Sequence, residues 1–167
     1  ALSTATAVSA LALMGDPDDG ERIERGLDWL AAHQNSDGGW GDTEDSPSNL
    51  STTMLARAAF RLGRAESSRQ NGAAAWAERH IAYFAGAGPE EQTAALRAIY
   101  GKDRTFVVPI LINCALAGQA RWSGIPPLPF ELALTPRPLL RALRLHVVSY
   151  ALPALIAIGQ LLHARRP

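Results

Sequence analysis

Arg25-Gly26-Leu27-Asp28-Trp29-Leu30-Ala31-Ala32-His33-Gln34-Asn35-Ser36-Asp37-Gly38-Gly39-Trp40 joins a helix, a glutamine at that helix's end and a Gly-Gly-Trp turn at fixed spacing. Ile23, Leu27, Leu30 and Ala31 recur at helical intervals, and Glu21, Glu24 and Asp28 set acids toward the amino end, where the helix dipole favours negative charge. The spacing predicts an amphipathic helix that stops near Gln34, because residues 35–39 are turn formers whose glycines accept positive φ. After such a turn the Trp40 indole can fold back onto the helix end and cover the Gln34 amide. That amide can then bond free backbone groups at the termini of adjacent helices. An ordinary half-buried tryptophan beside a flexible loop uses the same residues, and physical chemistry alone leaves both arrangements open.

Outward from that unit, the chain divides into helices of similar size. They are expected near Ser3–Leu13, Asp19–Gln34, Ser51–Leu62, Ala73–Phe84, Pro89–Tyr100, Arg104–Ala117, Pro138–Leu145 and Val147–Ala164. Gly63, Gly86, Gly88, Gly101 and Gly118 are read as helix ends, Pro89 as a first-turn proline, and Asn49 or Ser51 as the cap of the third helix. Pro126-Pro127-Leu128-Pro129 reads as a stiff extended connector. Short helices joined in this way bury their faces only by stacking in pairs. The expected fold class is therefore all-α, an α/α toroid or barrel-like helical repeat.

Basic residue, Gly, aromatic, Leu, Gln and Gly-x-Trp stand at Arg25, Gly26, Trp29, Leu30, Gln34, Gly38 and Trp40. This pattern resembles the QW repeat of class II triterpene cyclases such as squalene-hopene cyclase. Tyr100–Phe106, Ile125–Glu131 and Val148–Ala151 follow in an order that is similar to the amino-terminal part of bacterial hopene cyclase-like proteins. The resemblance implies one QW-repeat domain over residues 1–167, an incomplete or single barrel of a two-barrel enzyme. The chain reads as truncated at both ends.

The same resemblance implies an isomerase that cyclises squalene or a similar polyprenoid, without a cofactor, in a cavity framed with a carboxy-terminal catalytic barrel. It places Tyr150 at the substrate cavity, with Val147 nearby, on the route from membrane to cavity. Related cyclases protonate an alkene from an Asp-x-Asp-Asp motif, and this chain carries that string as Asp16-Pro17-Asp18-Asp19. Here the string lies between Gly15 and Gly20 and precedes the QW helix, with no apolar wall in sequence to keep an acid protonated. Acids at a helix start are the expected surface arrangement. No catalytic residue is therefore assigned in this segment. Asn49-Leu50-Ser51-Thr52-Thr53 stands where family members often carry acids and reads as a cap.

Composition narrows the remaining classes. The chain has 167 residues, 47% of them hydrophobic, which is enough for a domain with a core. The zero net charge hides ten acids against two bases in residues 1–50 and six acids against fourteen bases thereafter. Those bases are scattered and almost all arginine, unlike a nucleic-acid-binding module. Arg137, Arg141 and Arg144 beside the apolar run Val147 to Leu162 suit either a monotopic contact with the cytoplasmic side of a membrane or a core helix with a solvated arginine face. Neither that run nor Phe106 to Ala117 reaches the roughly 20 residues of a membrane span.

No signal peptide is read at the start. His33, His80, His146 and His163 are isolated, so no metal site is expected. Cys114 reads as a small buried hydrophobe, and Trp76, Tyr83, Phe84, Tyr100, Phe106 and Phe130 as packing residues. A stand-alone α/α-repeat binding module and a membrane-surface helical protein remain the alternatives to a cyclase barrel.

Overall fold

The structure is a computed structural model that describes residues 1–127 and 152–165. Among these residues the chain is all-helical and contains no strand. In order it forms α1 (Leu2–Met14), α2 (Gly20–Ala32), α3 (Leu50–Leu62), α4 (Ser68–Ala85), α5 (Pro89–Tyr100), α6 (Arg104–Leu116) and α7 (Leu152–Arg165). Short 3₁₀ turns occupy Pro17–Asp19 and Trp122–Gly124.

The helices pack in two rows. α3 touches α1 on one side and α6 on the other, while α4 touches α2 and α5. Contacts of α1 with α2, α3 with α4, and α5 with α6 join the rows, as expected of an α/α repeat. α3 is the centre of the arrangement: every residue from Thr52 to Phe60 is buried, so over this stretch neither face of the helix meets water. Its start is fixed by Asn49, whose side-chain oxygen accepts the Thr52 N–H at 2.8 Å. The core continues through Leu27, Leu30, Ile81, Leu96, Val108 and Leu111, and Leu162 brings α7 onto it. The Arg165 guanidinium also lies 5.8 Å from the Trp122 ring centroid.

α5 spans the expected residues, with Pro89 in its first turn and the Gly88 N–H bonded to Glu91 Oε2 at 3.0 Å. Gly88 therefore caps the start of α5, and does not close the preceding helix as the sequence suggested. α4 begins five residues earlier than expected, because Ser67 Oγ accepts the Gln70 N–H at 3.2 Å and nucleates the turn.

The aromatic residues depart furthest from expectation. Trp76 is 40% exposed, Phe106 61%, Phe84 64% and Tyr83 84%, so these four are not core packing residues. Tyr83 and Phe84 fall on the side of α4 that its neighbouring helices leave uncovered, where they pack edge to face on each other at 4.9 Å. Tyr100 is half-buried, with its hydroxyl 3.0 Å from Ser51 Oγ. The expected helix Pro138–Leu145, Phe130, Arg137, Arg141, Arg144, His146, Val147, Tyr150 and part of the proline connector lie outside the described residues.

Candidate functional site: the junction of α2 with α4

α2 is amphipathic as its sequence spacing requires, burying Leu27 and Leu30 while Arg22, Glu24 and Arg25 face solvent. Gly26 lies where α1 comes closest, and a Cβ there would collide with Val8 Cγ2. Glycine is needed at this position for close approach of the two helices. Trp29 is half-buried and stacks on His33 with centroids 4.1 Å apart. Arg25 pairs with Glu21 at 2.8 Å, both largely exposed, so this contact contributes little to stability.

Beyond α2 the chain turns sharply. The Gly38 N–H donates to the Asn35 carbonyl at 2.9 Å, and Gly38 itself has φ of 87°, which disfavours any residue with a Cβ. Gly38 is also roofed by the Trp76 indole, leaving no room for a side chain. The turn returns Trp40 to the end of α2, where it is fully buried. Its Nε1–H donates to the Leu30 carbonyl at 2.9 Å, and its backbone N–H donates to Thr53 Oγ1 of α3 at 3.1 Å. The ring also packs against Phe60 at 5.9 Å. One residue thus ties α2 to α3 through a side-chain hydrogen bond, a backbone hydrogen bond and an aromatic contact.

Gln34 ties α2 to α4. Its Nε2 donates to the Gly38 carbonyl at 2.8 Å and to the Ala73 carbonyl at 2.9 Å. The division of labour differs from the sequence reading. It is the indole of Trp40 that satisfies a carbonyl in the last turn of α2, while the Gln34 amide reaches the loop and a carbonyl inside α4.

The loop is clamped from α4 as well. His80, buried on α4, donates from Nδ1 to the Asp37 carbonyl at 2.9 Å. Burial pushes the Asp37 carboxyl up, but hydrogen bonds from Ser48 Oγ and the Gly39 N–H, with His80 close by, outweigh it and leave the group below its ordinary range. Asp42 is held low chiefly by the Thr52 hydroxyl and then by the Asn49 amide. Both carboxylates anchor the loop to the α3 entry.

The Asp16-Pro17-Asp18-Asp19 string lies at the entry to α2. Asp16 and Asp18 are exposed, and Asp16 Oδ1 accepts the Asp18 N–H at 3.0 Å. Asp19 is buried, unlike a freely solvated surface acid, and pairs with Arg22 at 2.6 Å. Cys114 is buried on α6, and burial pushes its thiol up to about 12, so it is not a nucleophile at neutral pH. Among the described residues no cluster of His, Cys, Asp and Glu could hold a metal ion, and no helix is long and apolar enough to cross a membrane. Val147 and Tyr150, the two expected cavity residues, lie outside the described residues.

Arg57 was missed in sequence. It interrupts the apolar run Met54–Phe60 of α3, and a lone arginine inside such a run is the signal that a charge is being buried. Its guanidinium bonds Glu78 Oε2 and Gln92 Oε1, both at 2.9 Å, tying α3 to α4 and α5.

Taken together, paired helices in two rows, braced at a Gln-Gly-Gly-Trp turn, define an α/α helical-repeat protein. The family model described as squalene-hopene cyclase C-terminal domain matches residues 2–98, which include α1 to α4 and nearly all of α5. The chain belongs to the squalene-hopene cyclase family. Comparison with curated proteins and with solved structures finds no match. The matched model describes a carboxy-terminal domain and ends before Tyr100, where the segments that resemble the amino-terminal part of hopene cyclase-like proteins begin.

Proposed function

We propose that this chain is the amino-terminal, non-catalytic barrel of a squalene-hopene cyclase-like triterpene cyclase. In this reading it shapes an apolar cavity in which squalene or a related polyprenoid is cyclised in hopanoid biosynthesis. The observation that carries the proposal is the contrast between a fully built helix brace and an acidic string whose Asp16 and Asp18 are exposed and whose buried Asp19 is paired with Arg22. Gln34, Gly38 and Trp40 act as the QW brace of the outer layer, holding α2 against α3 and α4. Asp16 caps the 3₁₀ turn formed by Pro17–Asp19, and in this reading the string donates no proton to substrate. The proton donor then belongs to a carboxy-terminal barrel, and Tyr150 with Val147 serve the cavity side of this one.

Polyene cyclisation passes through cations, so what a non-catalytic barrel contributes is exclusion of water and apolar or aromatic walls. The amino-terminal placement rests on the order of Tyr100–Phe106, Ile125–Glu131 and Val148–Ala151 alone, since the family-model match over residues 2–98 is to a carboxy-terminal domain. Peripheral attachment to the cytoplasmic face of a membrane belongs to the same proposal. The deciding experiment is an Asp16→Asn/Asp18→Asn double variant of the complete enzyme, assayed for squalene turnover. Turnover near that of the unmodified enzyme is expected. Loss of turnover with an unchanged circular dichroism spectrum overturns the assignment.

A further inference from the structure

Between α3, α4 and the turn after α6 lies a cleft of about 340 Å³. Arg57, Arg61, Arg64, Asn71, Glu78 and Gln119 supply its polar lining. Three arginines face one glutamate, so the cleft carries a surplus of positive charge. Arg61 and Arg64 are exposed and make no ion pair among the described residues. Arg64 adopts φ of 56°, and among the described residues it is the one non-glycine with positive φ. The left-handed turn after α3 therefore holds a side chain that lines the cleft, at a position where glycine would be the easier residue.

Arg57 supplies the independent observation. It is 95% buried, and its Nε has no hydrogen-bond partner although both terminal nitrogens are bonded. Gln119 Oε1 is buried and unpartnered in the same lining, while its Nε2 donates to the Arg57 carbonyl at 3.3 Å. A buried guanidinium requires close compensation, and the Glu78 side chain that faces it is 55% exposed, so solvent screens that pair. An orphan donor and an orphan acceptor beside unpaired arginines are complementary to a compact oxyanion that also carries a hydroxyl. Hydrogenphosphate has that set of groups: its oxygens first meet the exposed Arg61 and Arg64 forks, and on displacing the side chains that close Arg57 Nε and Gln119 Oε1 from solvent it offers an acceptor to the one and an O–H to the other.

We infer that this cleft binds a phosphate-class oxyanion, either free phosphate or the phosphomonoester headgroup of an anionic lipid. This inference does not rest on the proposed cyclase function.

The test is isothermal titration of the purified protein with inorganic phosphate at low ionic strength. A second arm is co-sedimentation with phosphatidylcholine vesicles with and without phosphatidic acid. Saturable binding of inorganic phosphate assigns the free anion, and binding that needs phosphatidic acid assigns the headgroup. In either arm Arg61→Gln/Arg64→Gln, two exposed positions that do not threaten the fold, is expected to weaken binding at least about tenfold. Arg25→Gln, on α2 and outside the cleft, is expected to leave it unchanged. Absence of binding in both arms overturns the inference, as does equal loss from the Arg25 and Arg61/Arg64 variants.

Discussion

Two faces of α4 are built to different standards. Ala73 and His80 look toward the α2 loop, while Asn71, Ala74 and Glu78 look toward the arginine cleft, about a third of a turn around the helix. On the first face the polar groups close on one another: Gln34 Nε2 has two carbonyls, Trp40 Nε1 has one, and His80 Nδ1 has one. On the second face Arg57 Nε and Gln119 Oε1 are left open. A region whose hydrogen bonds are complete is a brace, and its value is stability. A region with open buried groups is paying a desolvation cost that a ligand can repay.

If the first face is a brace, its variants must fail in stability. The largest effect is expected for Trp40→Ala, which empties a fully buried site and removes the indole bond to Leu30. The loss should be about 3–5 kcal/mol by chemical denaturation. A loss below about 1 kcal/mol would mean that α2 and α3 are held elsewhere. Next is Gly26→Ala, whose methyl would collide with Val8 Cγ2 and push α1 from α2. It should cost about 1–3 kcal/mol. In a Val8→Ala background the same substitution should cost less, because the opposing methyl is gone. Additive losses would show that close approach of the two helices is not the reason for glycine.

How much of this was legible in sequence depended on whether a residue acts through its neighbours in the chain or through distant elements. The α5 boundaries follow from Pro89 and Gly101, and the Asn49 cap from its own side chain, so local chemistry settled them. The Gln34 and Trp40 roles were half legible. A turn that folds back was readable from Gly38 and Gly39, but which group meets which carbonyl depends on where α4 lies. Exposure of Tyr83 and Phe84 was not legible, since hydrophobicity does not tell which side of α4 its neighbours cover. Arg57 was hidden for the same reason: its partners Glu78 and Gln92 are 21 and 35 residues away.

Smaller substitutions sharpen the contrast. Gln34→Ala removes the donor that joins the Gly38 and Ala73 carbonyls and should cost about 1–2 kcal/mol, less than Trp40→Ala because Gln34 is only half-buried. The smallest effect is expected from the loop carboxylates and is best seen as a pH slope. Asp42 is held below its ordinary value of 3.8 by the Thr52 hydroxyl and the Asn49 amide. Its stabilising contribution is therefore complete above that pH and disappears as pH falls through the lower folded-state value. In the unfolded chain the proton is taken up first, so acid favours unfolding. Asp42→Asn cannot titrate, and its denaturation midpoint should fall less steeply than that of the unmodified protein as pH is lowered below about 4. Parallel slopes for the two proteins would show that the bonds from Thr52 and Asn49 do not distinguish carboxylate from amide. The Trp40 loop would then be held by its backbone and by Gln34 without help from charge.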